Sequence, residues 1–189
     1  MQVIVATGNP GKVKEIGLAL QPLGWDALSL KAFAVEMPEE TETTYEGNAL
    51  LKSRAICDAT GIAALADDSG LEVEALDNVP GVYSARYGNL NNDQERYEFL
   101  LNNLGSNQNR RAKFVSVVVI SYPDGKDEFY RGEVQGFITR EPRGAGGFGY
   151  DPIFFVPEFG CTMAELTPEE KQSISHRGRA LKALLQAHS

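Results

Sequence analysis

The sequence predicts an α/β fold with a mixed sheet flanked by helices. Short apolar runs at residues 3–6 and 62–66 are typical of buried strands, and helical periodicity precedes or follows each of them. Residues 113–122 and 128–139 are β-rich and are joined by Pro123-Asp124-Gly125, which indicates a hairpin. Helices alternate with strands early in the chain and a hairpin lies in the middle, so the sheet is expected to be mixed rather than purely parallel.

Length and composition predict one globular domain that covers residues 1–189. Hydrophobic residues make up 42% and charged residues 23% of the chain, close to globular averages. The net charge of −8 argues against nucleic-acid binding, which needs a surplus of Lys and Arg. No run of about 18 apolar residues occurs, so we expect no membrane partner and a cytoplasmic location. Cys57 and Cys161 lack metal-ligand spacing, which favours buried free thiols.

The first strand leads into a turn that is a candidate phosphate site. Main-chain N–H groups and a lysine at a helix start favour an anion. The turn is not a Walker A loop, because its glycine spacing is too short and Val13 stands where Ser or Thr would be. A plain tight turn is the alternative interpretation. Its residues are Thr7, Gly8, Asn9, Pro10, Gly11 and Lys12.

Further elements follow on the amino-terminal side of the hairpin. After a strand near residues 27–30 and an acidic loop, a helix over about 44–60 is predicted, with a capping box of Thr43 and Glu46 and a stop at Gly61. The strand over 62–66 ends in Asp67-Asp68-Ser69-Gly70. A further strand over 71–75 places Glu72 and Glu74 on one face.

The acidic residues around this strand could hold Mg²⁺, which takes a few carboxylates together with water and phosphate. The absence of paired His or Cys argues against zinc. Carboxylates at a strand's carboxyl end fall where open α/β sheets bind ligands, which favours chemistry at Asp68, whereas glutamates in a loop are more often only solvated. The candidates are Asp67, Asp68, Glu72, Glu39 and Glu40.

Lys52 shares a helix face with Asn48, and its ammonium could either point into a site or extend from the core edge.

A glycine-rich stretch over 144–149 matches G-x-G-x-x-G, but a strand follows it instead of a helix, so a dinucleotide site is excluded. The stretch presents Phe148, Tyr150 and Asp151, which could offer an aromatic face and an acceptor to a base, or could fill the core.

Helices are also predicted over 92–104, after a Thr167 cap, and after Ser175. Cationic side chains concentrate around the last two of these helices. They could have a functional reason or could form a solvated helix face. They are Lys171, His176, Arg177 and Arg179.

Five motifs in this order closely resemble the inosine triphosphate pyrophosphatase family, whose bacterial members act on dITP and XTP. They are Thr7-Gly8-Asn9-x-x-Lys12, Ala66-Asp67-Asp68-Ser69-Gly70-Leu71, Ser84-Ala85-Arg86-Tyr87, Gly146-Gly147-Phe148-Gly149-Tyr150-Asp151-Pro152 and Ser175-His176-Arg177. The resemblance covers nearly the whole chain. It implies two lobes around a central nucleotide-binding cleft, a homodimer, and Mg²⁺-dependent release of pyrophosphate from non-standard purine nucleoside triphosphates.

The resemblance also implies a role for individual residues. Glu40 and Asp68 would bind the metal, although Glu39 adjoins Glu40 and could exchange roles with it. Asp68 would be the catalytic base, and we add Lys52 as a catalytic candidate. Residues Thr7 to Lys12 would bind phosphate, with Lys12 and Lys171 offsetting charge on the departing pyrophosphate. The remaining substrate-binding residues would be Ser69, Phe148, Gly149, Tyr150, Asp151, His176 and Arg177.

Selectivity would follow from hydrogen bonding to the base. His176 and Arg177 would donate to the 6-keto oxygen, and Asp151 would accept from a protonated ring nitrogen; adenine offers neither group. Two other classes stay open on the sequence: a related pyrophosphatase for pyrimidine or methylated nucleotides, and a non-catalytic nucleotide-binding module.

Overall fold

A computed structural model describes all residues from 1 to 189 and contains one seven-stranded sheet with the order β2-β1-β3-β4-β5-β6-β7. β1 is parallel to β2 and β3, whereas β6 is antiparallel to β5 and β7, so the predicted mixed α/β sheet is confirmed. The strands are β1 Gln2–Val5, β2 Asp26–Ser29, β3 Ala64–Val73, β4 Arg111–Ser121, β5 Asp127–Ile138, β6 Phe154–Val156 and β7 Cys161–Thr162. The helices are α1 Pro10–Leu20, α2 Tyr45–Thr60, α3 Asp93–Leu104, α4 Pro168–Ile174 and α5 His176–His188.

The chain forms two compact units, each made from separate stretches of sequence. Unit 1 comprises Met1–Asp68, Ser116–Gly132 and His176–Ser189, and unit 2 comprises Ser69–Val115 and Glu133–Ser175. Each unit has a hydrophobic core of its own. The cores of unit 1 include Val3, Leu65, Val118 and Leu181, and the core of unit 2 includes Leu71, Phe114, Ile153 and Phe154. The single domain and the central cleft inferred from the sequence stay predictions.

The carboxylates Asp67 and Asp68 lie inside β3, not at the end of a strand as predicted. The expected break after residue 66 is wrong, because β3 continues unbroken through Ser69 and Gly70. Gly70 makes this possible: a Cβ atom there would lie 2.0 Å from the carbonyl oxygen of Gly81. β1 pairs with β3 only as far as Val5 opposite Leu65, so Asp67 lies beyond the end of β1.

The predicted start of the second helix is one residue too early. Thr44 caps α2, with its Oγ1 accepting from the N–H of Gly47 at 3.0 Å, so the capping box of Thr43 and Glu46 is wrong. Glu46 instead accepts from Arg131 at 2.8 Å. Gly61 ends α2 with φ +69°, as predicted.

The amino terminus of α5 packs closely against β5 within unit 1. A Cβ atom at Gly132 would lie 2.1 Å from the carbonyl oxygen of His176, so this approach requires glycine. α5 buries Leu181 and Leu184 in the core, as its apolar stripe predicts. The contact therefore fixes the position of His176 and the residue after it. No helix in the chain is both long and apolar enough to span a membrane.

Candidate active site

Asp67 is the buried centre of a set of charged and polar side chains in unit 1. Its Oδ1 lies 3.0 Å from Lys12 Nζ, and its Oδ2 accepts from Arg177 Nε at 3.0 Å. Although burial favours the protonated acid, Arg177 and Lys12 hold the pKa of Asp67 well below its usual range. We call the whole set the unit 1 cluster; its members are Lys12, Glu15, Glu40, Asn48, Lys52, Asp67, Asp68 and Arg177.

Asp68, the next residue, has a different environment. Its Oδ2 accepts from Asn48 Nδ2 at 3.1 Å, and its Oδ1 lies 3.8 Å from Lys52 Nζ. Burial raises the pKa of Asp68; Lys52 opposes this shift, and the nearby charge of Glu40 adds to it. A carboxylate with a raised pKa is a stronger proton acceptor, so Asp68 suits a general base better than Asp67 does.

Lys52 brings Glu40 to the same place as Asp68. Its ammonium donates to Glu40 Oε1 at 2.6 Å and to the main-chain oxygen of Asp67 at 2.8 Å. Only 7% of the Lys52 side chain is exposed, so the ammonium points into the unit, one of the two alternatives left by the sequence. Glu39 is exposed, which favours Glu40 over its neighbour as the functional glutamate.

The pair of Glu40 and Asp68 fits Mg²⁺. Both carboxylates face one cationic group, the Lys52 ammonium, and Mg²⁺ needs only one or two protein carboxylates when water and phosphate complete its shell. No group of three or more His, Cys, Asp or Glu side chains in the chain is arranged to hold a metal ion. Asp67 is a poor candidate because each of its carboxylate oxygens already contacts a cation, Lys12 or Arg177. Glu72 belongs to unit 2, where it pairs with Lys113 at 3.4 Å.

The turn before α1 is organised by Asn9. Its Oδ1 accepts from the N–H groups of Gly11 at 2.9 Å and Lys12 at 3.3 Å, and its own N–H donates to Thr7 Oγ1 at 3.1 Å. Pro10 occupies the first position of the helix. Two of the main-chain N–H groups of this turn, those of Gly11 and Lys12, are therefore bound by the Asn9 cap. The Lys12 ammonium remains the cation of this turn; burial lowers its pKa, and Asp67 partly offsets the shift.

Arg177 is a fully buried member of the unit 1 cluster. Besides the bond to Asp67, its Nη1 donates to Glu15 Oε2 at 2.5 Å, and its side chain is 2% exposed. The solvated face, one of the two alternatives left by the sequence, therefore does not apply to Arg177. His176, which precedes it, is also buried.

Unit 2 contains a second, smaller group around Asp151. Asp151 Oδ2 accepts from Lys171 Nζ at 2.8 Å and from the N–H of Phe148 at 2.9 Å. The Lys171 ammonium also lies 4.3 Å from the centre of the Phe148 ring, a cation–π contact. A Cβ atom at Gly147 would lie 2.0 Å from Asp151 Oδ2, and its φ of +71° also favours glycine. We call Phe148, Asp151 and Lys171 the unit 2 group.

Tyr150, between these residues, is a core residue. Its hydroxyl donates to the carbonyl oxygen of Ser84 at 2.7 Å, and its ring belongs to the hydrophobic core of unit 2. The N–H of Gly149 donates to Asp93 Oδ2 at 2.7 Å. The glycine-rich segment is thus fixed at both Gly149 and Tyr150. The sequence left two alternatives for its aromatic residues, and core packing applies to Tyr150.

The candidate site residues suggested by the sequence are divided between unit 1 and unit 2. Unit 1 holds Thr7 to Lys12, Glu40, Lys52, Asp68, His176 and Arg177, and unit 2 holds Ser69, Phe148 to Asp151 and Lys171. Sequence reasoning missed Asn48 and Glu15. Asn48 lies one helical turn before Lys52 and Glu15 one turn after Lys12, so spacing from a candidate lysine could have identified both.

A mixed α/β sheet that carries a buried pair of carboxylates beside lysines defines a class of protein suited to a metal-bound phosphate substrate. Comparison with known proteins gives the family. The sequence profile described as Ham1 family matches residues 3–187. The chain therefore belongs to the Ham1 family, which confirms the resemblance carried by the five motifs.

Individual relatives agree with this assignment. The dITP/XTP pyrophosphatase of Thermus thermophilus is 55% identical over 190 residues, covering 100% of this chain and 92% of the relative. That of Deinococcus radiodurans is 58% identical over 187 residues, covering 99% and 92%. Among solved structures, a HAM1 protein from Coxiella burnetii has a TM-score of 0.91 at 40% identity, covering 99% of this chain and 98% of that one.

Proposed function

We propose that this protein hydrolyses the non-standard purine nucleoside triphosphates ITP, dITP and XTP, and so removes them from the nucleotide pool. Water adds to phosphorus, the bond between the α and β phosphates breaks, and the products are the nucleoside monophosphate and pyrophosphate. The observation that carries the proposal is the arrangement of Asp68, Glu40 and Lys52, a basic carboxylate beside a second carboxylate and a buried ammonium. The names of the Thermus and Deinococcus relatives support the substrate class.

Asp68 accepts the proton of the attacking water in this proposal, because its pKa is raised while that of its neighbour is lowered. Glu40 and Asp68 would hold Mg²⁺, which would offset the charge of the triphosphate and orient the water. Lys52 keeps the two carboxylates together and adds a positive charge close to both. Asn48 fixes Asp68 by donating to Oδ2.

Phosphate binding is assigned to the turn from Thr7 to Lys12, with Lys12 offsetting charge on the departing pyrophosphate, and to Ser69. For Lys171 we propose a different role from the one expected. Its ammonium is bound to Asp151 and lies over the Phe148 ring, so we assign Lys171 to recognition of the base.

Base recognition is assigned to the unit 2 group, whose segment Gly149 and Tyr150 hold in place through their bonds to Asp93 and Ser84. The roles of His176 and Arg177 as donors to the 6-keto oxygen stay predictions. Phe148 offers a ring for stacking, and Asp151 offers an acceptor for a protonated ring nitrogen. Hypoxanthine and xanthine carry that N–H and a 6-keto oxygen, whereas adenine carries neither. Each buried polar group left unpaired would cost roughly 1–3 kcal/mol, so a double mismatch would reject ATP strongly.

We further propose that the protein acts as a cytoplasmic homodimer that uses Mg²⁺. The family resemblance supports these points. Sedimentation of the purified protein tests the dimer, and a single species at 20.6 kDa would refute it.

The reaction is tested by incubating the protein with XTP, ITP, dITP, GTP, dTTP and ATP, with Mg²⁺ or with a chelator. Pyrophosphate and orthophosphate are measured separately. We expect pyrophosphate from XTP, ITP and dITP, only in the presence of Mg²⁺, and little from the other three. Orthophosphate as the primary product would exclude a pyrophosphatase, faster turnover of dTTP would favour a pyrimidine-directed relative, and binding without turnover would favour a non-catalytic module.

A further inference from the structure

Asp67 has no chemical part in the proposed reaction, yet it contacts three cations that come from three different helices. Lys12 on α1 is bound by Oδ1, and Arg177 on α5 is bound by Oδ2. Lys52 on α2 is bound by the main-chain carbonyl oxygen of Asp67. The side-chain contacts and the main-chain contact are thus separable by substitution.

Burial shields the contact between Asp67 and Arg177, whereas the Lys12 side chain is 16% exposed. The Asp67 side chain is 0% exposed and that of Arg177 is 2% exposed, so no water competes for their bond. A charge this deeply buried is tolerated only where its partners are held in good geometry. The two cations need Asp67 and Asp67 needs both of them, so the three side chains fix one another.

The second partner of Arg177 cannot replace Asp67. Glu15 binds Nη1 of the same guanidinium, but its own side chain is 23% exposed, whereas that of Asp67 is 0% exposed. Asp67 therefore links Arg177 to Lys12 through its two carboxylate oxygens.

We propose that Asp67 is a positioning residue, whose two carboxylate oxygens hold Lys12 and Arg177 at the spacing at which these cations bind the nucleotide. The inference rests on the proposed function and deepens it. It separates the adjacent aspartates into two roles: Asp68 takes part in the reaction, and Asp67 sets the geometry of substrate binding.

The Asp67→Asn variant separates the two roles, because it keeps the main-chain oxygen that binds Lys52 and removes only the side-chain charge. Asp68, Glu40 and Lys52 therefore stay in place while Lys12 and Arg177 lose their common partner. We expect KM for XTP to rise about tenfold or more and kcat to fall by a smaller factor, because Lys12 contacts the triphosphate before the reaction as well as the departing pyrophosphate. Asp58→Asn, which alters an exposed carboxylate on α2, is the matched control and should change neither constant.

The experiment measures kcat and KM for XTP with Mg²⁺ in the wild type, Asp67→Asn, Lys12→Ala and the double variant. If Asp67 acts through Lys12, Asp67→Asn raises KM much less in the Lys12→Ala background than in the wild type. Equal factors in both backgrounds, or an unchanged KM in a folded Asp67→Asn protein, would overturn the inference. A wild type that releases no pyrophosphate would instead refute the proposed function, so the two failures are distinguishable.

A direct binding measurement complements the kinetics. Titration calorimetry with inorganic pyrophosphate should show weaker binding to Asp67→Asn than to the wild type, whereas Asp58→Asn should bind as the wild type does. Equal affinity in all three proteins would count against Asp67 as a positioning residue.

A second comparison keeps the inference testable if Asp67→Asn does not fold. Asp67→Asn combined with Arg177→Gln removes one negative and one positive charge together, so no unpaired guanidinium is left buried. Lys12 still loses its carboxylate, and we expect KM above that of Arg177→Gln alone. Equal KM values for these two variants would overturn the inference.

Discussion

The unit 1 cluster and the unit 2 group differ in how their carboxylates are used. In unit 1, Asp67 and Asp68 are adjacent in one strand, yet the pKa of the first is lowered and that of the second is raised. In unit 2, Asp151 is bound to one lysine and one main-chain N–H, and the lysine lies over an aromatic ring.

In the proposed function, this difference assigns the reaction to the unit 1 cluster and recognition of the base to the unit 2 group. Two carboxylates with opposite pKa shifts provide a proton acceptor and a fixed negative charge side by side. A single ion pair next to a ring provides direction and a flat surface, both of which a base can use. The same residue types thus serve different purposes because of their neighbours.

The strongest test of the comparison substitutes one carboxylate in each set. Asp68→Asn should lower kcat by about a hundredfold or more on every nucleotide, because it removes the proton acceptor and a metal ligand while keeping the shape. Asp151→Asn should instead change the ratio of XTP to ATP turnover, since it alters an acceptor for the base. Steady-state kinetics with both nucleotides and Mg²⁺ measure this.

Circular dichroism of both variants is the control for folding. A near-normal kcat in a folded Asp68→Asn protein would show that Asp68 is not the proton acceptor of the reaction. If Asp151→Asn lowers the turnover of XTP and of ATP by the same factor, Asp151 does not recognise the base.

Substitution of the two lysines sharpens the comparison. Lys12→Ala should lower kcat/KM for XTP, ITP and GTP by a common factor of about ten to a hundred, because phosphate contacts do not depend on the base. Lys171→Ala should lower kcat/KM unequally among these nucleotides, since it releases Asp151 and Phe148. If Lys171→Ala lowers kcat/KM by the same factor for all three nucleotides, Lys171 binds the phosphates, as the sequence first suggested.

The sequence predicted most elements of the fold but not the environment of the two aspartates. Apolar periodicity and the turn at Pro123-Asp124-Gly125 depend on local chemistry, and the structure agrees with both. Asp67-Asp68-Ser69-Gly70 has the composition of a turn, yet it continues β3, because Gly70 packs against the main chain of Gly81, outside the window of a strand pattern. A local pattern cannot report such a contact.

The candidate site shows the same limit. Motifs identified Asp68, Lys12 and Arg177 as candidates, but Arg177 joins Asp67 across a separation of 110 residues. No spacing rule connects residues so far apart, so the pairing that distinguishes Asp67 from Asp68 required the structure. Residue type was therefore predictable at this site, and the partner of each residue was not.

The backbone that carries Arg177 to the unit 1 cluster provides a third test. Gly132→Ala should destabilise the fold by about 1–3 kcal/mol, because the new methyl group would overlap the carbonyl oxygen of His176 at the start of α5. Gly17→Ala is the matched control; its Cβ would meet nothing within 4 Å in α1, and stability should rise by up to about 1 kcal/mol. Urea unfolding measures both changes. An undiminished stability in Gly132→Ala would show that α5 can move without cost.

The smallest expected effect concerns a third set of charges, in unit 1, that the proposed reaction does not use. Glu128 accepts from Tyr122, Tyr130 and His188, at 3.0, 2.9 and 2.8 Å, and lies 2.5 Å from Lys126 Nζ. Although burial opposes the shift, Lys126, Tyr130 and His188 lower the pKa of Glu128 from 4.5 to about 2. A carboxylate with a lowered pKa stabilises the fold above its unfolded pKa.

The stability contributed by Glu128 should therefore be complete above about pH 4.5 and be lost as the pH falls towards 2. Glu128→Gln should lower the free energy of unfolding by about 1 kcal/mol at pH 7, a shift of roughly 2–4 °C in Tm. The difference in Tm between wild type and variant should shrink as the pH is lowered to 3, and kcat at pH 7 should be unchanged. A difference that is constant between pH 7 and pH 3 would refute the titration of Glu128. A fall in kcat would show that charges outside the unit 1 cluster also support turnover. The reaction could then no longer be assigned to that cluster alone.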